Sequence, residues 1–199
     1  MKSAKPGKLI IISGPSGVGK SSVVRQLIDT CELPLELSVS ATTRQPRPGE
    51  KDGVNYHFLS AEQFEEKQKA DAFLECAEVF GIGHWYGTLE QPVRERLDQG
   101  RWVILEIDVQ GALMVLGKFP NATSIFIHPG SLEELEQRLR GRKTESEEQI
   151  KSRLNVAADE LAMSQQYQHI IKNEEIQKTA DNICGLLHKS GEQQSCTTN

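Results

Sequence analysis

The chain has 199 residues, 37% of them hydrophobic and 26% charged, with a formal net charge of −5 at neutral pH. That is the composition of an ordinary globular protein, long enough for one large domain or for a core carrying a small inserted lobe. The acidic balance argues against general nucleic-acid binding, which needs a basic footprint, and the apolar runs are too short to span a membrane. The basic start Met1–Gly7 leads into an apolar run without a signal-type segment. Cys31, Cys76, Cys184 and Cys196 lie far apart with no C-x-x-C spacing. Together these features predict a reduced, cytoplasmic protein with neither a disulfide framework nor a zinc site.

In chain order, Lys8–Ser13 reads as a short buried strand. The next eight residues, Gly14-Pro-Ser-Gly-Val-Gly-Lys-Ser21, fit G-x-x-x-x-G-K-[ST], the phosphate-binding loop. Glycines at positions 14, 17 and 19 let backbone N–H groups curl around a phosphate without a Cβ clash. Lys20 adds a mobile charge for the terminal phosphates, and the Ser21 hydroxyl is a ligand for Mg²⁺. The segment after it, Ser22–Asp29, has helical apolar spacing, so a helix N-terminus points at the same anion. Strand, loop and helix in that order predict a nucleotide site.

Leu35–Ser40 is expected to be a strand, followed by the proline- and glycine-rich loop Thr43–Gly53. Val54–Leu59 and Phe73–Val79 read as strands flanking a short helix that starts at Ser60 and is capped with Gln63. Phe80–Gly83 is a turn signal, and Trp85-Tyr-Gly-Thr88 follows. Residues 35–88 are thus expected to form a small, mostly antiparallel lobe inserted into a core of residues 1–34 and 89–189. Trp102–Ile107, Thr123–Ile127 and His169–Lys172 supply further core strands. Ser131 with Glu134, and Thr144 with Glu147, fit capping boxes, the second opening a helix with Ile150, Leu154, Ala157, Ala158 and Leu161 on one face. A last helix over about 175–189 carries Ile176, Ala180, Ile183 and Leu187, and the polar tail 190–199 is expected to be disordered. Strands alternating with helices predict an α/β fold: a three-layer α/β/α core on a parallel sheet, with the small mixed lobe attached.

Two loops are dense in cations, one with Arg44, Arg47 and Lys51, the other with Arg138, Arg140, Arg142 and Lys143. An acidic protein with two such loops suits small, highly charged anions. The chain has no Asn/Thr-Lys-x-Asp base-reading motif of GTPases, and nothing suggests the nucleic-acid contacts of a translocase. Phosphoryl transfer, by contrast, needs cations, because the migrating group spreads negative charge over its equatorial oxygens.

Ser38-Val-Ser-Ala-Thr-Thr-Arg-Gln-Pro-Arg-Pro-Gly-Glu50 resembles the signature of the guanylate kinases, which phosphorylate GMP with ATP. Asp52–Phe58, Trp85–Thr88, Leu105–Gly111 and Arg138–Arg142 extend the resemblance, which runs from about Lys8 to Lys189. It implies a P-loop core, a GMP-binding lobe and a helical lid over about 130–160. It implies Mg²⁺ as cofactor, with ATP and GMP as substrates, while dGMP and a homo-oligomer stay open.

The resemblance also implies residue roles. Gly14, Pro15, Ser16, Gly17, Val18, Gly19, Lys20, Ser21 and Ser22 would cradle ATP, with Arg138 on its base and Asn173 at its adenine edge. Glu75 would accept the guanine N1–H and N2–H pair, with Glu106 as a second acceptor and Ser40 and Thr88 as hydroxyl partners. Adenine lacks that donor pair and would leave Glu75 desolvated and unpaired. Arg44 and Arg47, with the Tyr56 and Tyr86 hydroxyls, would grip the GMP phosphate through planar forks. Asp108 would hold a magnesium water, and Lys20, Arg44, Arg142 and Arg153 would stabilise the transferring group.

Plainer readings stand beside these. Glu75 alone reads as a solvated strand residue, Tyr56 and Tyr86 as packing residues, Arg153 as a helix-surface charge and Asp108 as a helix N-cap. The chain departs from the common family pattern at Val109, Lys143, Lys172 and Glu174. Two rival functions remain: a kinase-like binding module, which typically lacks a working phosphate loop, and a kinase for another nucleoside monophosphate.

Overall fold

The computed structural model describes residues 7–79, 83–141 and 146–193. In chain order its elements are β1 (Lys8–Ser13), α1 (Lys20–Thr30), β2 (Leu35–Leu37), β3 (Ala41–Thr42), β4 (His57–Phe58), α2 (Ala61–Lys69), β5 (Phe73–Val79) and β6 (His84–Leu89). They continue with α3 (Glu90–Asp98), β7 (Trp102–Glu106), α4 (Val109–Lys118), β8 (Thr123–His128), α5 (Leu132–Gly141) and α6 (Glu147–Ala162). A 3₁₀ turn (Met163–Gln166), β9 (His169–Lys172) and α7 (Ile176–Gln193) complete the chain. A five-stranded parallel sheet has the order β2-β7-β1-β8-β9, and a four-stranded mixed sheet the order β4-β3-β6-β5. The α/β architecture is the one the alternating pattern predicts. No helix among the described residues is long and apolar enough to cross a membrane.

The chain divides into two compact units. The first gathers Glu36–Leu105 and Gln110–Ala122 with the chain up to Ile10; the second gathers Ile11–Leu35, Glu106–Val109 and the chain from Thr123 onward.

In the first unit, the period of two along the strands sorts side chains onto two faces of the mixed sheet. Ala41, Phe73, Cys76, Trp85 and Leu89 pack with Phe64 of α2, whose ring stacks on Phe73 at 4.5 Å between centroids. The Ser60–Gln63 capping box starts α2 as its sequence predicts. On the opposite face the antiparallel β5–β6 register sets Glu75 opposite Thr88 and Ala77 opposite Tyr86. The apolar face anchors the sheet, and the polar face carries groups for chemistry.

Every residue of β1 from Leu9 to Ser13 is buried, which matches its unbroken apolar run. Leu135 and Leu139 of α5 pack on Ile150 and Ala157 of α6, with Leu132 and Leu154 at the margin. Ala158, expected on that apolar face, is exposed.

Several boundaries differ from those predicted. The strand expected over Leu35–Ser40 stops at Leu37, because the chain there leaves one sheet for the other. Ser38 N–H still bonds Ile104 O at 2.9 Å, whereas Ser40 O already accepts from His57 N–H at 2.9 Å. Of the strand expected over Val54–Leu59 only His57–Phe58 remains. Gly53 N–H bonds Tyr56 O, and Val54 and Asn55 N–H bond Lys51 O, so the backbone closes a turn instead. The cap of α6 is Ser146, which exchanges bonds with Gln149; Thr144 lies outside the described residues. Helix α7 runs to Gln193, past the point where the polar tail is predicted to begin.

The prediction of unpaired cysteines is corrected. Cys31 and Cys184 form a disulfide with their Cα atoms 5.8 Å apart. They are 153 residues apart in sequence, and only the side-by-side packing of α1 and α7 brings them together. Cys76 is a free thiol whose pKa is raised by burial, and Cys196 lies outside the described residues.

Candidate active site

The phosphate loop joins β1 to α1 within the second unit. Its glycines at 14, 17 and 19 all have positive φ, and at two of them a Cβ would strike groups that cannot move far. Gly14 has φ 141°, and a Cβ there would sit 2.3 Å from Ile127 O. Gly19 has φ 100°, and its Cβ would lie 2.8 Å from the Asn173 amide. Val18 N–H bonds Pro15 O at 3.2 Å, and the first helical bond of α1 runs from Val23 N–H to Gly19 O at 3.1 Å.

Lys20 folds back on this loop, its ammonium donating to Gly14 O at 2.6 Å and Pro15 O at 3.2 Å. Burial pulls the Lys20 pKa down, and Glu160, Glu106 and Asp108 oppose that pull through their charge. The Ser21 hydroxyl donates to Glu106 at 2.5 Å. Glu106 ends β7 and Asp108 stands exposed immediately before α4, so two carboxylates and a hydroxyl gather near the lysine.

Behind the loop, Arg138 donates to Val18 O at 3.1 Å and to Asn173 O at 2.5 Å. The buried Asn173 amide donates to Val18 O at 2.8 Å and accepts from the Thr179 hydroxyl at 3.0 Å. Arg138 and Asn173 therefore support the loop backbone through one shared carbonyl. Arg153 is half-buried on α6, and Arg142 lies outside the described residues.

The first unit holds a second cluster. The Thr88 hydroxyl donates to Glu75 at 2.6 Å, with both residues buried. Tyr86 lies two residues from Thr88 on the same strand, hence on the same face. Its hydroxyl accepts from Arg44 Nε at 3.2 Å. The Arg44 fork closes on Glu50 at 2.9 and 3.0 Å, and its guanidinium lies over the Tyr56 ring at 5.4 Å and the Phe58 ring at 5.8 Å. Glu50 also accepts from the Arg47 backbone N–H at 2.7 Å. The Arg44 pairing draws the Glu50 pKa down, and Glu50 raises that of Arg44 in turn. Arg47 is exposed, and half-buried Ser40 contributes the carbonyl that holds β4.

A family model described as guanylate kinase matches residues 6–190. The chain belongs to the guanylate kinase family. It is 52% identical over 199 residues to a guanylate kinase of Rhodopirellula baltica, covering 100% of this chain and 95% of that protein. A guanylate kinase of Fusobacterium nucleatum is 48% identical over 181 residues, with 91% of this chain and 96% of the relative covered. The crystal structure of guanylate kinase from Anaplasma phagocytophilum superposes with a TM-score of 0.74 at 33% identity, covering 93% of this chain and 86% of that one.

In this member of the guanylate kinase family, Glu75 meets Thr88, and Arg44 meets Tyr56 and Tyr86, within one unit. Glu106, expected as a second base acceptor, accepts from Ser21 of the phosphate loop through one of its oxygens. Two carboxylates escape sequence reasoning. Glu50 lies six residues from Arg44 and three from Arg47, inside the quoted signature, yet an acid in a surface loop carries no signal of its own. Glu160, on the α6 face turned to the loop, has its pKa raised by burial against the opposing charge of Lys20. Only the tertiary fold discloses that neighbour.

Proposed function

We propose that this chain transfers the γ-phosphate of ATP to GMP, giving ADP and GDP. The observation that carries the reading is the buried Glu75–Thr88 pair, set on the sheet face that also presents Tyr86 to Arg44. A fixed carboxylate suits the adjacent guanine donors, and an arginine fork beside tyrosine hydroxyls suits the 5′-phosphate. Family membership supports the same substrates.

The chemistry needs no general base. The GMP phosphate carries about 1.5 to 2 negative charges near neutral pH, so its nucleophilic oxygen is already ionised. That oxygen forms a bond to the γ-phosphorus, the bond to the β–γ bridging oxygen breaks, and ADP leaves with the electron pair. Residues 14–22 hold the polyphosphate with backbone N–H groups. Lys20 leaves the Gly14 and Pro15 carbonyls to pair with the terminal phosphates, and Arg44, Arg47, Tyr56 and Tyr86 hold the acceptor phosphate. Arg138 and Asn173 fix the loop from behind, and Arg142 and Arg153 neutralise the transferring group as part of the lid.

Ser21, Asp108 and Glu106 present the hard oxygen donors that Mg²⁺ takes, so the residues fit the ion the family implies. Bound there, Mg²⁺ neutralises phosphate charge.

A coupled assay with ATP, Mg²⁺ and each nucleoside monophosphate tests the proposal. GMP turnover well above AMP turnover is expected. Equal turnover of the two refutes base reading by Glu75, and saturable GMP binding without turnover identifies a binding module.

A further inference from the structure

Away from the nucleotide residues, three metal-ligating side chains converge where α1 packs on α7. Cys31 caps the C-terminus of α1, its N–H bonded to Leu27 O at 2.9 Å. Cys184 and His188 are four residues apart on α7 and so share one helix face. This is the spacing by which a single helix offers two ligands to zinc. The two sulfurs and a ring nitrogen of His188 all lie within 4.8 Å of one another. Cys31 is buried, Cys184 half-buried and His188 exposed, so the cluster runs from the interior to solvent.

We propose that Cys31, Cys184 and His188 form a redox-gated binding site for a thiophilic divalent cation of the zinc class. The dithiol form binds the ion, and the disulfide form does not. A small dithiol reductant opens the gate: its two thiols become a disulfide, and two electrons and two protons pass to Cys31 and Cys184. On metal binding the two thiols release two protons to solvent, each sulfur forms a bond to the ion, and neutral His188 adds a nitrogen. Water completes a tetrahedral set at the exposed end.

The geometry suits this. Zinc–sulfur bonds of about 2.3 Å and zinc–nitrogen bonds of about 2.0 Å place two tetrahedral sulfurs and a nitrogen about 3.5 to 3.8 Å apart. That separation falls inside the observed envelope and needs only side-chain rotation once the S–S bond opens. The site is separate from the phosphate loop, because the eleven residues of α1 put about 16 Å of helix between Lys20 and Cys31. In either redox state the cluster clasps α1 to α7, by a disulfide when oxidised and by a cation when reduced.

The test uses the full chain with Cys76→Ser and Cys196→Ser, so that no other thiol competes. The protein is reduced with a dithiol, freed of reductant without oxygen, and titrated with Co²⁺ and then Zn²⁺. One equivalent of Co²⁺ should give thiolate-to-cobalt charge-transfer absorption that Zn²⁺ bleaches. Zn²⁺ should raise the thermal midpoint of the reduced protein and leave that of the disulfide form unchanged. Loss of even an outer-shell partner costs about 10- to 100-fold in metal affinity, so His188→Ala should weaken binding at least tenfold. Cys184→Ser should abolish the absorption. A reduced protein without the band, a His188→Ala variant that binds as tightly as its parent, or a disulfide form that binds equally well would each overturn the proposal.

Discussion

Thr88 donates its hydroxyl hydrogen to Oε1 of Glu75 at 2.6 Å, the two residues standing directly opposite in the β5–β6 ladder. This bond fixes the rotation of a buried carboxylate, which a base-reading group requires, since a carboxylate free to spin would lose the bidentate geometry. Glu75→Gln keeps the shape and an acceptor for Thr88 but turns one acceptor oxygen into a donor. The kcat/KM for GMP should fall about 10- to 100-fold, equivalent to about 1–3 kcal/mol, with little change for AMP. The thermal midpoint should barely move. An unchanged GMP/AMP ratio would remove Glu75 from base recognition.

Glu50 joins two parts of the arginine loop, accepting both the Arg44 fork and the Arg47 backbone N–H. Glu50→Gln should leave kcat and the KM for ATP near wild type and raise the KM for GMP several-fold, because the clamp loses its preorganisation. Steady-state kinetics with each substrate varied checks this. A pH signature accompanies it. Arg44 lowers the native pKa of Glu50, so the pair's contribution to stability is fully present above the ordinary carboxylate pKa. It is lost as pH falls through the lower native value. Thermal melts from pH 6 down to pH 3 should show that part of the acid loss in wild type and not in Glu50→Gln.

Local chemistry made the phosphate loop legible, since its glycines, lysine and serine are contiguous and bounded by a strand and a helix. The β5–β6 ladder was legible only in part. Phe73–Val79 carries a strand pattern, but nothing in it announces that Glu75 will face Thr88. Glu160 and the Cys31–Cys184 pair were illegible for a different reason. Their partners lie more than a hundred residues away, and only the tertiary fold brings them together. The short strands β2 and β4 failed because the chain changes sheets or closes a turn there, and apolar pattern does not encode which backbone partner wins.

Lys20 carries a conflict between stability and activity. Burial depresses its pKa, so the folded protein holds this ammonium at a disadvantage despite three nearby carboxylates. Lys20→Met keeps the stem and removes the charge. Activity should drop at least about 100-fold, since the variant lacks a cation aimed at transferred charge. The thermal midpoint of the protein alone should stay level or rise, as often follows when a buried charge is replaced by an apolar group of similar volume. The same linkage makes wild-type stability rise with pH between the lowered native pKa and the ordinary lysine value of about 10.4. Melting both proteins across pH 7 to 10 checks the sign, and a falling wild-type midpoint relative to the variant would contradict it.

Asn173 ties the phosphate loop to β8 and α7 through its backbone and its side chain. Its N–H bonds His128 O at 2.9 Å, its carbonyl accepts from Arg138, its amide nitrogen donates to Val18 O and its amide oxygen accepts from Thr179. Asn173→Ala leaves the Thr179 hydroxyl its bond to Glu175 O but removes the amide's hold on Val18 O, leaving that carbonyl to Arg138. The loss should cost about 0.5–1.5 kcal/mol and raise the KM for ATP more than that for GMP. Asn173→Asp is the sharper test. An ionised carboxylate cannot donate to Val18 O, whereas its protonated form can, so the folded state should raise that carboxyl's pKa above the unfolded value. The protonated form then stabilises the variant below the unfolded pKa of about 3.9, and the benefit disappears as pH rises through the higher native value. The stability gap between wild type and Asn173→Asp should therefore narrow as pH is lowered from 8 to 5, measured by chemical denaturation at each pH. A gap independent of pH would mean that the loop does not depend on the donor at position 173.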